Sequence, residues 1–105
     1  MTFAIYPSLA GRNVFISGGA TGIGADLVRA FARNHAHVAF VDVQRAEGEA
    51  MAAAVKVEGG TALFLNCDVT DVAALQAAIA EARARLGPIA VLVNNAANDE
   101  RHSPP

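Results

Sequence analysis

Ser17-Gly18-Gly19-Ala20-Thr21-Gly22-Ile23-Gly24 is the stretch on which the fold turns. A short apolar run, Val14-Phe15-Ile16, precedes it. A helical pattern follows, with Ile23, Leu27, Ala30, Phe31 and Asn34 recurring at intervals of three and four. The glycines at 18, 22 and 24 read GxxxGxG. In a strand-to-helix turn, glycines let the backbone approach a pyrophosphate closely. The start of the helix then offers unpaired N–H groups and the positive end of its dipole to the anion. A glycine motif alone is weak evidence, and its place between a strand and a helix is what makes it specific.

Outward from this loop the same alternation repeats. Val38-Ala39-Phe40-Val41, Ala62-Leu63-Phe64-Leu65 and residues 89–93 are further short apolar runs. Between them lie an Ala-rich helical stretch over residues 45–58, closed by Gly59-Gly60, and a third helix with Val72, Leu75, Ile79, Ala82 and Leu86 on one face. Thr70 is expected to cap that helix, with Asp71 in its first turn, Arg83 and Arg85 in its last, and Gly87-Pro88 stopping it. After the first helix, His35 stands where a glycine is common, and Asn34 is expected to take the left-handed turn instead.

The apolar runs are continuous, as strands covered on both faces require, which implies a parallel sheet with helices on both sides. The fold class is α/β: a Rossmann-like doubly wound parallel sheet of order 3-2-1-4, truncated after the fourth strand. Residues 1–105 are read as the N-terminal part of a single dinucleotide-binding domain. All strands then end on one edge, at Ser17-Gly18, Asp42, Asp68 and Asn94, where such folds bind ligands.

Asp42 ends the second strand, 18 positions after Gly24. A carboxylate there accepts hydrogen bonds from both adenosine ribose hydroxyls and repels a 2′-phosphate, which favours NAD over NADP. Arg45 lies nearby as a competing phosphate partner, and Asp42 has a second reading as a helix cap. Asp68 with Val69 either reads an adenine edge or only shapes the turn into the third helix. The single cysteine, Cys67, excludes an internal disulfide and reads as a small buried hydrophobe, with a reactive thiol as the alternative.

Hydrophobic residues make up 53% of the chain, enough for a core. A net charge of −2 gives no electrostatic case for nucleic acid or an anionic membrane. The first ten residues lack the apolar stretch of a signal peptide, no run is long enough to span a bilayer, and a cytoplasmic location is expected. No metal-ligand pattern is read from the chain.

Taken together, SGGATGIG, Asp42, Cys67-Asp68-Val69 and Asn94-Asn95-Ala96-Ala97, in this order, resemble the short-chain dehydrogenase/reductase family. The resemblance implies that Gly18, Gly22, Ile23 and Gly24 hold a diphosphate, with Thr21 also binding the cofactor, and that Asp42 holds the ribose. It implies that Asp68 and Val69 contact adenine, while Asn94 and Ala96 line the adenosine ribose and brace the sheet. Ser17 replaces the family's usual Thr, and Ala97 its usual Gly. The opening residues 4–9 and the segment 94–102 are similar to bacterial NAD-dependent aldose dehydrogenases, D-xylose 1-dehydrogenases among them. That likeness implies a small-molecule substrate, an aldose oxidised to its lactone, and a homo-oligomer for the full-length protein. Asn98 and Asp99 then either touch a polyhydroxylated substrate or form a solvated polar loop.

The family's catalytic serine and YxxxK pair have no counterpart in these residues. Tyr6 precedes the first strand, Lys56 lies on the second helix, and Ser103 comes too soon after the fourth strand. No catalytic residue is therefore assigned, and the chain alone is expected to be inactive. A non-catalytic NAD-binding module, a dehydrogenase for another alcohol or ketone, and a methyltransferase-like protein are the competing readings. The GxxxGIG spacing and the Asn94-Asn95-Ala96 segment argue against the last. An open fourth strand also predicts marginal stability or self-pairing along residues 89–93.

Overall fold

The computed structural model describes residues 7–95. After a single 3-10 turn, Pro7–Leu9, the chain runs β1 (Asn13–Ser17), α1 (Gly22–Arg33), β2 (His37–Asp42), α2 (Arg45–Val57), β3 (Thr61–Asn66), α3 (Val72–Leu86) and β4 (Val91–Asn94). The four strands form one sheet of order β3-β2-β1-β4. All three pairings are parallel, with Ile16 opposite Phe40 on one side and Val93 on the other. The expected topology and strand order are observed.

Strand alternation splits the apolar residues between two faces. Val14, Ile16, Val38 and Phe40 pack under α1 and α2 with Val28, Ala32 and Val55. Phe15, Ala39 and Val41 face α3, where they meet Ala78, Ala82 and Cys67. β1 and β2 are thus covered on both sides, as their continuous apolar sequences require. The Phe40 and Phe64 rings lie tilted at 43° with centroids 5.3 Å apart. α2 rests directly on this pair: Gly48 is there because any Cβ would enter the Phe64 ring.

Several local expectations are corrected. The buried stripe of α1 is Gly24, Val28 and Ala32, flanked by Leu27 and Phe31, and Ile23 is 71% exposed. Small residues at 24 and 32 let the helix sit close to the sheet, so the contact face centres on them rather than on the larger side chains. At the end of α1 the left-handed residue is His35 (φ 66°), while Asn34 stays at φ −90°. The Asn34 side chain is buried and donates to Ala30 O, and the exposed His35 takes the strained position. The His35 and Ala36 amides donate to Ala32 O and Phe31 O, closing a Schellman motif. Gly59 (φ 91°) and Gly60 close α2 in the same way on Lys56 O and Val55 O, as their sequence anticipates.

Asp71, not Thr70, caps α3, its carboxylate accepting from Ala74 N–H at 3.1 Å. Thr70 is engaged by Asp68 instead. The apolar face of α3 is centred on Ala78 and Ala82, and Val72 is 64% exposed. The third strand ends at Asn66, ahead of Cys67-Asp68-Val69, and the fourth begins at Val91, with Ile89 packed against the α3 side before the strand starts. Asn13 ties this connection down, donating to Leu86 O and Pro88 O.

β4 departs from the both-faces-covered expectation. Val91 and Val93 pack against the α1/α2 side, but Leu92, on the other face, is 66% exposed because α3 lies over β1 and β2. Among the described residues β4 also pairs on one side only. An unpaired edge beside an exposed leucine favours edge-to-edge association. The chain is therefore expected to self-associate with rising concentration in analytical ultracentrifugation, and Leu92→Lys to lower that association without unfolding the sheet. A strictly monomeric chain at all concentrations would contradict this.

Candidate functional site

The C-terminal ends of the four strands bring together Ser17 with the glycine loop, Asp42, Asn66 with Asp68, and Asn94 with Asn95. The chain leaves β1 through α1 toward β2 on one side, while the crossover from β3 through α3 brings β4 to the other side of β1, so the glycine loop sits where the strand order reverses.

Ser17 joins β1 to β4. It is buried, its Oγ donates to Asn94 Oδ1 (3.1 Å), and it accepts from the Asn95 N–H (3.0 Å). Asn95 Nδ2 donates to Gly18 O at 3.1 Å. Gly18 turns at φ 74°, its amide on Val41 O, and Gly22 turns at φ 62°. α1 then starts so close to β1 that a Cβ on Gly24 would run into the Gly18 carbonyl. Beside Gly22, in contrast, the space is open. Thr21 occupies the N-cap position in extended conformation but makes no capping hydrogen bond. The first-turn amides of α1 are consequently left without a side-chain acceptor, a geometry that fits an anionic group.

Asp42 lies beside this loop. Ala20 N–H donates to its Oδ2 and Gln44 N–H to its Oδ1, each at 3.1 Å. The carboxylate is thus oriented by the backbone on both sides. Gln44 Nε2 also reaches Asp42 Oδ1 (3.4 Å) and Thr21 Oγ1 (3.2 Å). Gln44, not Asp42, is the N-cap residue of α2, and its side chain makes no capping bond there. Arg45 is directed away, its guanidinium donating to Asn66 Oδ1 at 3.1 Å and lying 3.9 Å from Glu49. Asn66 Nδ2 in turn donates to the carbonyls of Asp42 and Val43.

Asp68 is exposed, and its Oδ1 accepts from both the Thr70 hydroxyl (2.7 Å) and the Thr70 N–H (2.9 Å). These two bonds, the hydroxyl's first, hold its pKa below the usual carboxylate value. The turn-shaping role read from sequence is therefore present. Val69 is half-buried against the α3 side of the sheet. Cys67 is a buried free thiol whose pKa is raised by burial, and further by Asp68 and Asp71. This matches its reading as a small core residue.

Gly18, Thr21, Gly22, Ile23, Gly24, Asp42, Asp68, Val69 and Asn94 are therefore brought to one edge. Ala96, Asn98 and Asp99 lie outside the described residues. The sequence reasoning missed the Asn95 and Asn66 side-chain bonds, the Ala20–Asp42 bond and the Gln44 bridge. The doublet Asn94-Asn95 and the strand-ending Asn66 were the available signals, since Asn at such positions satisfies turn backbone. Among the described residues no group of three metal-ligating side chains occurs, and no helix is long and apolar enough to cross a membrane.

A doubly wound parallel sheet with a glycine turn at its switch point and an acid ending the second strand defines a Rossmann-like domain of the nucleotide-binding type. The family model described as short chain dehydrogenase matches residues 12–104, and the chain belongs to this family. It is 46% identical over 99 residues to a probable galactose dehydrogenase of Rhizobium meliloti, covering 93% of this chain and 39% of that protein. It is 42% identical over 102 residues to a D-xylose 1-dehydrogenase of Caulobacter vibrioides, covering 97% and 40%. A short-chain dehydrogenase/reductase structure from Serratia marcescens superposes with a TM-score of 0.82 at 41% identity, over 86% of this chain and 37% of that one. The chain thus spans about two-fifths of the length of the relatives it matches.

Two outcomes test this geometry. Gly24→Ala must push α1 off β1, and is expected to cost about 1–3 kcal/mol in thermal unfolding, the range for overpacking a tight contact. Thr70→Val removes the hydroxyl donor and is expected to move the Asp68 carboxyl up toward its ordinary value in an NMR titration. A depressed folded pKa adds stability above the unfolded pKa and loses it as pH falls through the folded one, so the variant's deficit should disappear in acid.

Proposed function

We propose that residues 1–105 are the N-terminal part of a single dinucleotide-binding domain that takes NAD. The observation that carries the reading is Asp42. Its carboxylate stands at the end of β2, beside the glycine loop, fixed by the Ala20 and Gln44 amides. An acid held there accepts from ribose hydroxyls and opposes a 2′-phosphate. The competing cation, Arg45, is engaged by Asn66 and Glu49.

In this reading Gly18, Thr21, Gly22, Ile23 and Gly24 hold the diphosphate at the start of α1, with Asn94 and Ala96 toward the adenosine ribose. Asp68 and Val69 stand toward the adenine. The open space beside Gly22 and the uncapped first turn of α1 support this. The exposed Ile23 and Val43 (71% and 62%) supply apolar surface on the same edge for the cofactor to cover. A nicotinamide cofactor bound here would supply a hydride acceptor. The chain's own residues bind and orient the adenosine and diphosphate side.

For the complete protein we propose an NAD-dependent dehydrogenase that oxidises an aldose to its lactone, cytoplasmic and homo-oligomeric. The likeness to galactose and D-xylose dehydrogenases supports the sugar, and Asn98 and Asp99 are the residues offered toward it.

Isothermal titration with NAD and NADP tests the central claim. NAD should bind more tightly, and Asp42→Ala should weaken NAD by about tenfold or more, the loss of at least one charge-assisted hydrogen bond, while narrowing the gap to NADP. Tighter binding of NADP by the unmodified chain would overturn the reading.

A further inference from the structure

We infer that Gln44 is a specificity-determining residue of the adenosine-ribose subsite, acting as a hydrogen-bond competitor for Asp42 that the ribose must displace. The inference rests on the NAD reading above and deepens it.

An ionised carboxylate offers about four lone-pair directions. The Ala20 amide uses one on Oδ2, and the Gln44 amide uses one on Oδ1, both set by the backbone. The Gln44 carboxamide takes a third, its Nε2 reaching Asp42 Oδ1 at 3.4 Å. One direction then remains, whereas a ribose held through both hydroxyls needs two. The backbone donors are fixed by the glycine loop and by the turn between β2 and α2, and the side chain is the donor that must leave. It leaves Thr21 as well, because the same Nε2 donates to Thr21 Oγ1 at 3.2 Å. In the free protein Gln44 therefore spans from the glycine loop to Asp42, across the two residues expected to meet the cofactor. Both bonds are solvent-exposed, so the bridge can open to admit the ribose, and the loss of these two contacts sets a modest cost on opening it.

Gln44 makes no capping bond to α2, so substitution leaves the helix start intact. Calorimetric titration of the full chain with NAD is the test. Gln44→Ala and the similarly sized Gln44→Met are each expected to tighten NAD binding by about three- to tenfold, the value of one or two displaced exposed hydrogen bonds. An NAD analogue lacking the adenosine 2′-hydroxyl needs a single acceptor and should gain less than about twofold. Unchanged or weaker NAD binding by Gln44→Ala overturns the inference. So does a gain with Ala that Met does not share, which would make the effect one of bulk, and so does an equal gain for both ligands. If the unmodified chain and both variants are folded by circular dichroism yet none takes up NAD, the NAD reading fails and this inference falls with it.

Discussion

The contact on which the site depends is the meeting of Gly24 with the Gly18 carbonyl. It sets how closely α1 approaches the end of β1, and hence where the helix's first amides point. The same carbonyl accepts from Asn95 Nδ2, so the end of β4 is referenced to the same atom. Ser17, one residue earlier, locks β1 to β4 through Asn94 Oδ1 and the Asn95 amide. A bulkier residue at 24 would not only strain a turn. It would shift a helix relative to two strands. Close packing makes such a shift costly, because interiors are dense and lose contacts over fractions of an ångström.

The parallel sheet supplies the rest. Parallel strands joined by crossovers deliver every strand end to one edge, so residues far apart in sequence become neighbours without long loops. Asp42 is held by an amide 22 positions upstream, and Asn95 reaches a carbonyl 77 positions away. The side chains there largely serve backbone groups of the turns. The edge is polar because its side chains satisfy N–H and C=O groups that the strands leave unpaired.

The sheet order and the helix positions were legible because they rest on long-range regularities: apolar runs of strand length, helical spacing, and glycine at turns. The C-terminal stops at Gly59 and Gly87 were legible for the same reason, since both adopt positive φ. What failed was local choice between adjacent, chemically similar residues. Thr70 and Asp71 are both good caps, and the decision rested on Asp68 claiming the threonine hydroxyl. Asn34 and His35 competed for the left-handed position, and the Asn34 side chain was already committed to Ala30 O. On α1 the helical spacing found Leu27 and Phe31 beside the core but also counted the exposed Ile23, because the contact face is centred on Gly24, Val28 and Ala32. Along β4, apolar sequence did not mean burial on both faces, because burial depends on which helix lies above. At the candidate site the residue types on the edge were readable. The hydrogen bonds that aim them were not, since these run between segments whose spacing in the chain carries no signal.

Asn66 couples two opposite charges that would otherwise be independent. Its amide nitrogen grips the carbonyls of Asp42 and Val43 while its oxygen restrains the Arg45 guanidinium. The backbone that presents the acid and the tether that turns the base aside therefore share one side chain. Residues joined through a common partner do not change additively. Changes at Asp42, Arg45 and Asn66 should therefore show epistasis, because the Asn66 side chain is bonded both to the backbone that carries the acid and to the cation.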